Sequence, residues 1–264
     1  MFLAIDCGNT NTVFALYDSN KGQFALIDSW RINSSDKRTA DEYYIWLSQV
    51  FLISGFKLSN LNGVCIASVV PETLLNIKLM IRKFLKVKTF VIGENNLTLD
   101  ININIDNPSE AGADRLVNAC AIKFLNLCPA IVIDFGTATT FDLIGKKGSY
   151  EGGIIAPGVN LSIDALYFST SRLPKITIKR LIDEKKSLIG KNTISAMHSG
   201  IYWGYVCMVE GLISKLKNTY KDYNVIATGG LSDMFTKEVN SIDLVRKDLT
   251  LTGLAYVYTN QLQN

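Results

Sequence analysis

Asp6-Cys7-Gly8-Asn9-Thr10-Asn11-Thr12 and Asp134-Phe135-Gly136-Thr137-Ala138-Thr139-Thr140 are the two stretches whose reading decides the fold. The first follows an apolar run at 2–6 that ends in an acid and precedes a second apolar run at 13–17. The other follows 131–133 and precedes 140–144, nearly half the chain further on. An apolar run, a Gly/Thr-rich turn and a returning apolar run read as a β-hairpin with polar groups at its tip. Aligned residue by residue, the two copies share the Asp, the Gly and the last Thr, so Thr12 faces Thr140. A repeat of this kind predicts a duplicated fold that places its two hairpins across a cleft.

Between the copies, residues 39–53 carry Tyr43, Trp46, Leu47, Val50 and Phe51 at helical spacing, with Asp41 and Glu42 in the first turn. Residues 63–69 read as a buried strand, 71–85 as an amphipathic helix and 89–92 as another strand. After the second hairpin, 163–166, 193–213 and 248–261 read as helical, and 224–227 is a strand running into Thr228-Gly229-Gly230. The alternation of strand and helix makes the fold class α/β. The length of 264 residues suits two domains, predicted at 1–117 and 118–264.

Composition removes several function classes. Lys and Arg number 27 against 24 Asp and Glu, a net +3 that supports neither a nucleic-acid groove nor an anionic membrane surface. The most apolar stretch, 124–145, contains Asp134 and Asp142, so no membrane span is predicted. Residues 1–5 lack a basic flank and meet Asp6, which predicts no export signal. Cys7, Cys65, Cys120, Cys128 and Cys207 lie on apolar segments without metal spacing and read as buried thiols of a cytoplasmic protein. With one histidine, His198, chemistry that needs two is excluded. The Lys78, Arg82, Lys83, Lys86, Lys88 stripe reads as a solvated helix face, and Tyr202, Trp203 and Tyr205 read as core or subunit packing.

A triphosphate needs backbone N–H groups and hydroxyls near its oxygens, little side-chain bulk, and a carboxylate that holds Mg²⁺ through water. Asp6-x-Gly8-Asn9-Thr10 offers all three, Gly136 permits close approach, and Thr137 adds a hydroxyl. No G-x-x-x-x-G-K-[ST] run exists, which excludes a P-loop. Gly112-Ala113-Asp114-Arg115 opens a helical run through Leu116, Ala119, Cys120, Lys123, Phe124 and Leu127. Asp114 then reads as an N-cap accepting backbone N–H bonds, and also as a base that steers an acceptor hydroxyl toward phosphorus. Arg115 beside it suits an anionic or amide acceptor, or a surface ion pair.

Together with Arg38-Thr39-Ala40-Asp41-Glu42, Gly152-Gly153-Ile154-Ile155-Ala156-Pro157-Gly158 and Gly190-Lys191-Asn192-Thr193, these stretches resemble the type III pantothenate kinase family, in order and from end to end. The resemblance implies two duplicated ribonuclease-H-like domains of the actin-like ATPase type flanking a nucleotide cleft. It implies ATP-dependent phosphorylation of pantothenate, with ATP bound by Asp6, Cys7, Gly8, Asn9, Thr10, Asn11, Thr12 and Val13, and by Thr137 and Gly229. Asp114 would be the catalytic base, Gly112, Ala113, Asp114 and Arg115 the pantothenate segment, and Thr193 a substrate contact across a homodimer interface. Asp134 would hold K⁺ or NH₄⁺, and Asp6 would hold Mg²⁺ through water. One departure is Ile105, where the family often carries Tyr, which removes a hydrogen bond to pantothenate. A sugar or acetate kinase, or a non-catalytic nucleotide-dependent regulator on the same scaffold, are the competing expectations.

Overall fold

The computed structural model describes residues 1–20, 23–94, 97–180 and 188–262. Strand β1 (Phe2–Cys7) is apolar at five of its six positions because it sits at the centre of a sheet with both faces covered. β2 (Asn11–Asn20) returns antiparallel to it and β3 (Gln23–Asn33) follows antiparallel to β2. Helix α1 (Ala40–Ile53) leads to β4 (Gly63–Ser68), parallel to β1, and α2 (Pro71–Met80) leads to β5 (Lys88–Val91), parallel to β4. The sheet order is β3-β2-β1-β4-β5. The helix predicted at 71–85 is α2 prolonged by a π-helical turn, Ile81–Leu85.

After α3 (Ala113–Phe124), β6 (Ala130–Phe135), β7 (Ala138–Ile144) and β8 (Tyr150–Pro157) repeat the meander. Then come α4 (Val159–Phe168), α5 (Thr193–Thr219), β9 (Asn224–Thr228), α6 (Ser232–Phe235), β10 (Leu244–Val245) and α7 (Leu249–Gln261). The second sheet runs β10-β9-β6-β7-β8, with β7 antiparallel and β9 parallel to β6, so read from β8 it has the strand order of the first. Even the exposure along β1 and β6 agrees: four buried residues, a half-buried Asp, then one buried residue. Two compact units contain these sheets: Met1–Asn126 with Gly148–Tyr150 and Leu249–Asn264, and Leu127–Lys147 with Glu151–Asp248.

In the first unit the period of two sorts β1 between two cores. Leu3, Ile5 and Cys7 pack with Tyr43, Leu47 and Phe51 of α1 and Ile77 and Met80 of α2. Phe2 and Ala4 pack on the opposite face with Val117 and Cys120 of α3 and Leu254 and Tyr258 of α7. Gly253 lets α7 approach α3, since a Cβ there would overlap the Val117 carbonyl oxygen. In the second unit Ile131, Ile133 and Phe135 pack with Tyr202, Tyr205 and Val209 of α5 and Phe235 of α6. Tyr202 and Tyr205 are therefore core, as expected. The basic stripe is solvent-facing, with Lys78 paired to Glu94 at 2.5 Å and Lys83 to Asp41 at 2.7 Å.

The thiols correct the sequence reading in part: Cys7, Cys65 and Cys120 are buried, Cys128 is half-buried and Cys207 is exposed on α5. A helical residue faces solvent wherever its side of the helix does, whatever the hydropathy of its neighbours. Among the described residues no helix is long and apolar enough to cross a membrane. Arg38-Thr39-Ala40-Asp41-Glu42 starts α1 through a capping box: the Glu42 N–H donates to Thr39 Oγ1 at 3.3 Å and the Thr39 N–H to Glu42 Oε2 at 2.8 Å. Thr39→Ala removes one side of that box, and urea unfolding is expected to show a loss of about 1 kcal/mol with an unchanged m-value.

Candidate active site

The first hairpin turns through a loop closed by the Gly8 N–H donating to Asn11 O at 3.1 Å, with Cys7 opposite Thr12 in the ladder. Asn9 and Thr10 are exposed at its tip. Ser34, just past β3, fastens the loop from behind. Its hydroxyl donates to Gly8 O at 2.5 Å, so the 2.9 Å contact with the buried Thr12 hydroxyl has Thr12 as donor. Its backbone N–H also donates to Thr10 O at 3.0 Å. The sequence reading did not single out Ser34, and a lone Ser at a strand end gives no signal before β3 is recognised. Burial pushes the Cys7 thiol up, helped by the Asp6 charge, so Cys7 is an inert wall of the loop.

Asp6 shares its face of the sheet with Phe2 and Ala4, the face covered by α3 and α7. Asp114 stands at the start of α3, but not at its cap. The cap position is Gly112, which offers no side chain, and Asp114 is the second helical residue, its Oδ1 accepting the Arg115 N–H at 2.8 Å. A side chain at 112 would take that place, because a Cβ there would lie 2.7 Å from the same Oδ1. Burial pushes the Asp114 carboxyl above the usual aspartate range, and the Arg115 N–H and charge oppose it without cancelling it. A carboxylate raised toward neutrality is a better proton acceptor than a solvated one.

In the second unit the Gly136 N–H donates to Ala138 O at 3.1 Å, and Phe135 pairs with Thr139. This loop is one residue shorter than the first, so Thr139, not Thr140, is the counterpart of Thr12, and both are fully buried. The Thr139 hydroxyl pairs with the Tyr205 hydroxyl of α5. Two glycines close on the hairpin. A Cβ at Gly158 would lie 2.8 Å from Gly136 O and nearer still to Thr137 O. A Cβ at Gly229, whose φ is +90°, would lie 2.6 Å from Phe135 N and nearer to Asp134 Oδ1. Asp134, Gly136, Thr137, Gly158 and Gly229 thus lie against one another around this hairpin. Asp142, fully buried on β7, accepts the Thr140 hydroxyl at 3.0 Å; in sequence it shows only as an acid inside an apolar run.

Thr193 is exposed in the first turn of α5, which Asn192 caps by accepting the Ser195 N–H at 2.9 Å. Beside it α4 and α5 form an open apolar groove of about 540 Å³ lined by Leu166, Met197, Ile201, Tyr205 and Met208, with no carboxylate among the described residues that line it. The exposed Leu161, Tyr167, Phe168 and Ile194 lie on the same two helices. Among the described residues no three His, Cys, Asp or Glu converge on a metal. A divalent ion carried on phosphate oxygens and touched by one carboxylate through water, the usual state of bound Mg²⁺, needs no such cluster. Gly8 and Gly136 leave each loop without a side chain at its turn, the low bulk that a phosphate chain needs.

Two sheets of identical strand order, each with an acid-tipped hairpin at its central strand, define a duplicated α/β fold. Solved structures agree on the fold. A conserved Campylobacter jejuni protein of the Baf family of transcriptional activators superimposes with a TM-score of 0.59 at 17% identity, covering 100% of both chains. A reductive activator for a corrinoid, iron–sulfur protein gives 0.51 at 13% identity over 99% of this chain and 61% of that one. At closer range, the model of type III pantothenate kinase matches residues 2–215. Type III pantothenate kinases of Zymomonas mobilis and Caulobacter vibrioides are 47% and 44% identical, each over 98% of this chain and over 92% and 97% of their own length. The chain belongs to the type III pantothenate kinase family.

Proposed function

We propose a division of labour among these residues for the family's reaction, ATP-dependent phosphorylation of pantothenate to 4'-phosphopantothenate in coenzyme A biosynthesis. The Gly8 to Val13 loop, held by Ser34, offers backbone N–H groups and the Thr10 hydroxyl to phosphate oxygens, and Asp6 holds Mg²⁺ through water. Thr137 and Gly229 contact ATP, and Asp134 takes K⁺ or NH₄⁺. Bound cations supply the charge neutralisation that a P-loop lysine supplies elsewhere. Arg115 receives the pantothenate carboxylate, and Gly112 and Ala113 complete the acceptor segment. Asp114 orients the primary hydroxyl and takes its proton as the new O–P bond forms and ADP departs with the bridging oxygen.

The observation that carries this reading is Asp114: a half-buried carboxylate at a helix start, oriented by its neighbour's N–H and raised toward neutrality by burial. Thr193 is assigned to the pantothenate of a second protomer. The apolar α4–α5 groove beside it supports a homodimer through that face. The test is ADP release from MgATP with pantothenate, glucose or acetate as acceptor, in K⁺ or in Na⁺ alone. Release that requires both pantothenate and K⁺ is expected. Release indifferent to the acceptor would assign the chain to the ATPases or regulators of this scaffold.

A further inference from the structure

The Arg115 side chain is not aimed by its helix alone. Its guanidinium carbon lies 5.5 Å from the centroid of the Tyr150 ring, within the range of a cation–π contact. Tyr150 is 1% exposed, so its ring is fixed and water is kept from that side of the contact. The backbone fixes it further. The Tyr150 N–H donates to Asn102 O and the Asn104 N–H donates to Tyr150 O, both at 2.8 Å, around a parallel bridge to Ile103. The stretch 102–104 therefore clamps Tyr150 under the arginine.

A free arginine samples many rotamers, and freezing it when a ligand arrives costs affinity. A guanidinium held over an aromatic ring is ordered beforehand, so less rotamer freedom is lost when it forks onto a carboxylate. We infer that Tyr150 is a positioning residue for acceptor recognition, its ring face holding Arg115 in the orientation that receives the pantothenate carboxylate. The inference rests on the assignment of Arg115 to the acceptor given above. The ring face does this work, not the hydroxyl, so Phe substitutes for Tyr and an aliphatic side chain does not.

Steady-state kinetics of Tyr150→Phe, Tyr150→Leu and Arg115→Ala test this, with pantothenate and with its neutral primary amide as acceptors. Tyr150→Phe is expected to stay within about twofold of wild type. Tyr150→Leu is expected to raise the KM for pantothenate about tenfold, equivalent to about 1.4 kcal/mol, with kcat and the KM for MgATP within about twofold. Its preference for pantothenate over the amide should fall in step. If Arg115→Ala raises the KM for pantothenate and Tyr150→Leu does not, or if Phe and Leu do equal damage, the role of Tyr150 is overturned while that of Arg115 stands. If Arg115→Ala itself leaves that KM unchanged, the assignment of Arg115 fails and the inference with it. Should Tyr150→Leu not fold, pentafluorophenylalanine at 150 decides: it keeps the shape and reverses the charge of the ring face. A raised KM for pantothenate is then expected, and an unchanged one refutes the role.

Discussion

Asp114→Asn is expected to lower kcat by about 10² to 10⁴ and, at neutral pH, to make the protein more stable. The kinetic half follows from the loss of the proton acceptor with size and hydrogen-bonding shape retained. The stability half follows from the sign of the pKa shift. Burial raises the folded pKa of Asp114 above its unfolded value, so between the two values the native state binds more protons than the unfolded state. Native stability then falls as pH rises through that window, and above it the chain bears the full cost of a desolvated charge. The helix N-terminus and Arg115 favour the charge, but the net upward shift says that desolvation wins. The Asn variant carries no such cost, so thermal melts at pH 7 should place it above wild type, with the gap closing as pH falls below the raised pKa. The same shift places the acid limb of kcat above the ordinary aspartate pKa of about 3.9. Near-normal turnover in the Asn variant would remove Asp114 from its role.

Gly229→Ala is the second large effect, expected at about 2–4 kcal/mol of lost stability together with loss of K⁺-dependent activity. Two independent costs meet at this residue. Its φ of +90° lies where a side chain is strained, and the new Cβ would lie 2.6 Å from Phe135 N and 2.7 Å from Phe135 O, with Asp134 Oδ1 nearer still. Those neighbours are backbone and a site carboxylate, neither of which yields as the end of a flexible side chain would. Gly230→Ala is the control, because nothing lies within 4 Å of a Cβ there and its backbone is unstrained. Urea unfolding and K⁺ titration of both variants should separate them, and equal behaviour of the two would mean that Gly229 does not wall the Asp134 site.

The elements legible in the sequence are those whose burial is simplest. Central strands such as β1, β4, β6 and β9 are covered on both faces, so they read as unbroken apolar runs. The long β3 was not legible, because at the sheet edge Asp28, Ser29 and Arg31 interrupt it and a register shift at Leu16/Tyr17 breaks its pairing with β2. With β3 went Ser34, the residue that fastens the first hairpin. β8 hides behind Gly152 and Gly153, the first of which takes a positive φ, and such a pair reads as a loop. Only residues 163–166 of α4 gave a helical signal, since the apolar residues exposed on that helix blur its periodicity. The repeat was visible, but its register was off by one beyond the turn, because loops differing by one residue move the counterpart of Thr12 from Thr140 to Thr139. The shelf formed by Tyr150 could not be read at all, since nothing in sequence ties it to Arg115.

The central claim is transfer of a phosphoryl group from ATP to the primary hydroxyl of pantothenate, with Asp114 taking the proton. The most direct measurement follows a radiolabel in the γ-phosphate of ATP, offered with Mg²⁺, K⁺ and pantothenate to the wild-type chain and to Asp114→Asn. The label should appear on pantothenate with the wild type and at least about a hundredfold more slowly with the variant. Label that emerges as inorganic phosphate whether or not pantothenate is present, or that reaches pantothenate equally fast with both proteins, would contradict the account.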